Sequence, residues 1–212
     1  MLRLTVRQPV LAMADLDESL KRRPDDPEAL MRRGELYLSS KDPTRAKGDF
    51  DAAMKLAPDQ GGLVSQAGTA YARAGLYEEA VQELDRWIAA HPKSEDLARA
   101  QNSRCFARAA WGKDLDMALA DCDAAVRRDK TSTTMGNRGL VLLRLGRLDD
   151  AITQYGEAIR AQPRDAAALY GRGLAELRKG AKAAGDADIA AATAIAPQAG
   201  ESYKRIGLTP DA

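Results

Sequence analysis

The 212-residue chain is short of most residues that carry chemistry. It has one histidine and two cysteines, and only 5% of its residues are aromatic. The histidine, His91, stands beside Pro92 at a helix end and belongs to no metal-ligand spacing. Two cysteines, Cys105 and Cys122, are too few for a disulfide-framework protein, and no Cys-x-x-Cys is present. No P-loop, Gly-x-Ser-x-Gly, His-Glu-x-x-His or dinucleotide fingerprint occurs, so no enzyme, metal or cofactor is expected. No apolar run approaches the roughly 18 residues that span a bilayer. "MLRLTVRQPVLAMADLD" has neither a continuous apolar core nor an early cleavage site, so it does not read as a signal peptide. An excess of one charge is also missing: 32 Lys plus Arg stand against 31 Asp plus Glu. That balance argues against a general nucleic-acid or acidic-membrane binder, a local patch aside.

What the chain does have is alanine, leucine and a repeat. It is 45% hydrophobic and 30% charged, and its apolar content favours helix. Gly34, Gly68, Gly139, Gly173 and Gly207 fit a 34-residue register, except that the step from Gly68 through Cys105 to Gly139 is 37 and then 34 residues. A second small site recurs at Ala46, Ala80, Ala118, Ala151 and Gly185, and a proline at Pro24, Pro58, Pro92, Pro163 and Pro197. "AKGDFDAAMKLAP" and "DAITQYGEAIRAQP" carry apolar residues at helical spacing. Each repeat is therefore expected to be a helical hairpin. Gly75, Gly146 or Gly180 ends its first helix, and the proline follows its second. The small sites allow close helix approach beside a bulky Phe50, Leu84, Tyr155 or Ile189.

Leu30, Gly34, Tyr37, Ala46, Phe50, Ala53 and Pro58, then Gly139, Ala151, Tyr155, Ala158 and Pro163, resemble the tetratricopeptide repeat family. The resemblance implies an all-α fold, a right-handed superhelix (α-solenoid) of stacked hairpins. It divides the chain into repeats at 27–60, 61–94, 95–131, 132–165 and 166–199. Residues 12–26 read as the second helix of an earlier repeat, and residues 200–212 as a C-terminal capping helix. Residues 1–11 read as a leader or the remnant of an upstream segment. Leu2, Leu4 and Val6 alternate with polar residues there, which favours extended chain.

The third repeat is irregular. "KSEDLARA" inserts about three residues before it, and Trp87 stands where other repeats have Ala53, Ala125, Ala158 or Ala192. Trp87 is expected to be a wedge between repeats two and three rather than a ligand-stacking residue. Cys105 takes the glycine site and Cys122 the bulky site, nearly level across the hairpin. They form either two buried thiols or a structural disulfide. The carboxylates of "DLDES", "DFD" and "DCD" read as solvated helix faces.

In this family the inner wall comes mainly from the first helix of each repeat. That implies Glu28, Arg32 and Glu35; Gln66, Thr69 and Arg73; Arg99, Asn102, Phe106 and Ala109; Asn137, Leu140 and Arg144; Tyr170, Leu174 and Arg178; and Lys204 and Arg205 from the cap. Asparagines can pin an extended peptide's backbone, and arginines can fork onto carboxylates. The function implied is a non-catalytic, monomeric scaffold for a protein or extended peptide, acidic or ending in a free C-terminus. The rivals are an accessory domain of a larger, exported enzyme with its catalytic part upstream, and an RNA-binding helical repeat. Alanine and arginine usage points to a bacterial source, with the compartment open between cytoplasm and periplasm.

Overall fold

The computed structural model describes residues 2–210. Twelve helices and no strand occur among them: α1 (Leu2–Arg22), α2 (Pro27–Ser39), α3 (Pro43–Leu56), α4 (Gly61–Arg73), α5 (Tyr77–Ala90), α6 (Leu97–Trp111), α7 (Leu115–Arg128), α8 (Ser132–Arg144), α9 (Leu148–Ala161), α10 (Ala166–Arg178), α11 (Lys182–Ile195) and α12 (Ala199–Arg205). The helices α2/α3, α4/α5, α8/α9 and α10/α11 pack as sequential hairpins, as in an α-solenoid.

Local chemistry sets the helix starts. Asp26, Asp42 and Asp165 accept from the backbone N–H of Ala29, Arg45 and Ala168, three orphan donors of first turns. Pro27 and Pro43 occupy first-turn positions, where no amide hydrogen is needed. Thr131 and Thr134 form a reciprocal capping box on α8. The hairpin turns need one left-handed residue. Gly75, Gly146 and Gly180 supply it, and Lys41 takes the same conformation at φ 61°.

Residues 2–11 depart from the extended reading. α1 is helical from Leu2, continuous with the segment expected to start at residue 12. Alternation is a weak signal beside a strong helix, because each residue added to an existing helix gains a hydrogen bond without a new nucleation cost.

The chain divides into two compact units, residues 1–100 and 101–212, with the boundary inside α6. In the N-terminal unit Phe50 fills the space left by Gly34, and Leu84 that left by Gly68. Trp87, 8% exposed, packs with Val64, Leu84 and Ala100. Its indole N–H donates to the Pro58 carbonyl at 2.9 Å, so it is a wedge in the core of this unit. In the C-terminal unit a larger core runs from Cys105 through Leu142, Tyr155 and Leu174 to Tyr203 and Leu208.

Candidate functional site

A ladder of charge crosses the hairpins. Arg33 on α2 holds Asp49 of α3 through two bonds of 2.8 Å, and also reaches Asp17 of α1 at 2.9 Å. Arg104 on α6 grips both oxygens of Asp121 on α7, at 2.7 and 2.6 Å, and Arg108 adds a bond of 2.9 Å. Arg138 bridges Asp123 and Gln154, and Arg172 holds Asp188. The hydrogen bond to Asp49 raises the Arg33 pKa above its ordinary value, against the effect of burial. Asp49 and Asp121 are only 7% and 5% exposed, so the first acid of "DFD" and of "DCD" is not on a solvated face, whereas Asp51 is exposed. The signal was present in the sequence: an arginine immediately precedes Gly34, Cys105, Gly139 and Gly173, and the partner position precedes the bulky anchor.

Cys105 and Cys122 stand opposite one another in the α6/α7 pair, with Cα atoms 5.5 Å apart and their sulfurs in bonding contact. That separation lies within the range a disulfide requires.

In the N-terminal unit the expected wall residues lie on α2, α4 and the start of α6. Gln66 donates to the Glu35 carboxylate at 3.0 Å. Arg32 and Glu35 line a cleft of about 530 Å³ between α1 and α2, together with Asp15, Leu16, Leu36 and Ser39. Arg73 is exposed at the end of α4. Arg99, also exposed, lies 3.6 Å from Asp96.

The C-terminal unit brings more of the expected set together. Asn137 on α8 donates to the Asn102 side-chain oxygen on α6 at 3.1 Å. Phe106 is half-buried against the core. Arg144 donates to the carbonyls of Ala109 (3.1 Å), Ala110 (3.3 Å) and Ile206, tying the end of α8 to the end of α6 and to the chain after α12. Tyr170 stacks on Tyr203 at a centroid separation of 5.3 Å. Burial, and then the charge of Glu201, raise the Tyr170 pKa. Arg178 is half-buried, while Lys204 and Arg205 are exposed on α12. Ala109, Leu140 and Leu174 do not line a wall. They are 0%, 5% and 0% exposed, because apolar side chains on a first helix turn into the hairpin core.

Among the described residues no group of His, Cys, Asp and Glu is placed to hold a metal ion, and no helix is long and apolar enough to cross a membrane.

Comparison with known proteins accords with this architecture. A tetratricopeptide repeat model matches residues 3–61 and 137–200, and a second one matches residues 37–103. No curated protein matches. Among solved structures, YrrB, a TPR protein with an unusual peptide-binding site, is 20% identical, covering 89% of this chain and 97% of its own, with a TM-score of 0.55. PilW, a type IV pilus biogenesis factor, is 19% identical over 92% of this chain and 89% of its own, with a TM-score of 0.69. A thermophilic TPR protein from Thermus thermophilus is 25% identical over 82% of this chain and 96% of its own, with a TM-score of 0.63. With one repeat model spanning more than half of its residues and the hairpins in place, the chain belongs to the tetratricopeptide repeat family.

Proposed function

We propose that the chain is a non-catalytic module that binds a protein through an extended peptide segment, using the first-helix face of the C-terminal unit. The observation that supports this reading is the Asn102–Asn137 pair. That single bond uses one donor and one acceptor. It leaves the Asn102 amide hydrogens and the Asn137 oxygen to serve a peptide's C=O and N–H. The two asparagines are half-buried and sit on adjacent first helices, α6 and α8, which suits a chain crossing both. Arg178, half-buried on α10, favours an acidic segment or a free C-terminus. The described peptide-binding site of YrrB is in keeping with this reading.

The test is selection of extended peptides from a displayed library on the immobilised chain, followed by calorimetric titration. Asn102→Ala with Asn137→Ala should weaken the selected peptides by roughly 1–3 kcal/mol if both amides are desolvated on binding. Arg160→Ala is the control: Arg160 lies on α9 and its side chain is 74% exposed. Wild-type affinity in the double asparagine variant would refute this face as the site.

A further inference from the structure

The position two residues before the small site, held by Arg32, Gln66, Ser103 and Asn137 in successive repeats, is Gly171 in the last one. This glycine opens a slot. A Cβ there would lie 2.4 Å from the Tyr203 hydroxyl and 2.4 Å from the Tyr155 ring. The Tyr155 ring lines it, and the hydroxyl end of Tyr203 of α12 enters it. Its hydroxyl donates to the Ala167 carbonyl at 2.9 Å and lies 3.3 Å from the Tyr155 hydroxyl, and its ring stacks on Tyr170. Three residues further on, the Ile206 carbonyl accepts from Arg144. Leu208, 3% exposed, joins the same core. Two groups of the expected wall, Tyr170 and Arg144, are thus engaged by the C-terminal segment of the chain itself.

That segment has little stability of its own. α12 is seven residues long, too short to persist alone in water, and it begins without a side-chain cap. Glu201, Ser202, Lys204 and Arg205 are exposed, so Tyr203, Leu208 and the Arg144 contact anchor it.

We infer that Ala199–Leu208 is a tethered ligand of the C-terminal unit, displaced by a peptide partner that presents a tyrosine followed three residues later by a main-chain carbonyl or terminal carboxylate. This rests on the peptide-binding reading above and names the chemistry of its ligand. The Gly171 slot takes the phenol's hydroxyl end, Tyr170 stacks on its ring, the Ala167 carbonyl accepts from its hydroxyl, and Arg144 donates to the downstream oxygen. Binding requires α12 to leave first, so the intact chain binds more weakly than its open form by the fraction of time it is open.

The probe is a fluorescent peptide, QAGESYKRIGLTP, that copies residues 198–210. Fluorescence anisotropy compares its binding to the wild-type chain and to full-length Tyr203→Ala, whose slot is empty. Tyr203→Ala should bind at least about tenfold more tightly, the gain expected where the closed form exceeds the open one tenfold. Replacing the peptide's tyrosine by alanine should abolish the gain. Hydrogen exchange of the wild-type chain gives an independent reading. Amides of Tyr203–Leu208 should exchange through local opening well ahead of those in α10. The inference is overturned if Tyr203→Ala binds the probe no better than wild type, or if α12 exchanges as slowly as α10. Library peptides that depend on Asn102 and Asn137 yet bind wild type and Tyr203→Ala equally would leave the binding function standing and remove the tether.

Discussion

Phe50 has no exposed surface; its ring lies over Gly34 and meets Tyr71 edge-on at 5.1 Å between centroids. Tyr155 occupies the same place against Gly139. Phe50→Ala or Tyr155→Ala should each cost about 3–5 kcal/mol, since the helices around the cavity cannot collapse fully. Unchanged urea midpoints would show that these rings are not core. The tyrosines also predict alkaline behaviour. Burial raises the Tyr155, Tyr71 and Tyr203 hydroxyls above the ordinary 10.0. Above that pH the unfolded chain releases protons that the folded chain retains, so stability falls as pH rises past about 10. Melting temperature should drop there while the rings of Tyr71, Tyr155 and Tyr203 stay protonated in the folded chain; ionisation of these three at the ordinary pH in a still-folded chain, read residue by residue by NMR, would contradict the burial. The glycine-and-ring pairs were legible because bulk against a missing Cβ leaves a fixed interval in sequence. Asp49 and Asp121 were misread because a carboxylate looks solvent-facing until its arginine, 16 or 17 residues away, is brought across the hairpin.

The α6/α7 pair is the element where the register slips and where two bridges meet. Asp121 is clamped by two arginines, and Cys122, its neighbour, faces Cys105. The cysteines are 17 residues apart, and oxidation of the pair should contribute about 3 kcal/mol by restricting the unfolded chain. Denaturant unfolding with and without reductant measures the difference, and thiol titration of the unfolded protein shows which state was present. Equal midpoints for the two states would show that the bridge adds no stability. The level placement of the two cysteines was readable from the hairpin geometry. The helix over residues 2–11 was not, because its conformation follows from the continuous run of α1 and not from its own composition.

At the scale of the whole molecule each compact unit contains one tryptophan, Trp87 in the first and Trp111 in the second. Repeat arrays transmit damage mainly to neighbours. In single-tryptophan variants carrying Phe50→Ala, the Trp87 signal should therefore melt at a lower temperature than the Trp111 signal. Coincident midpoints would mean that the two units unfold as one. The periodicity made the stack legible, because a repeat predicts which helices are adjacent. It could not show that Arg144 meets Ile206, 62 residues on, since that contact lies outside the period. The charge ladder bears on how such a chain could have lengthened. In α2/α3, α6/α7 and α10/α11 the acid that precedes the bulky anchor and its arginine sit in the same hairpin. Copying one of these hairpins whole therefore carries each of these acids together with an arginine that meets it. The hairpin of α4 and α5 breaks this rule. Ala67 stands where the arginine would be, and Glu83 is met by Lys47 from the preceding hairpin as well as by Arg86. A copy inserted elsewhere would arrive without Lys47, just as a copy of α8/α9 would arrive without Asp123, the acid that Arg138 meets on α7.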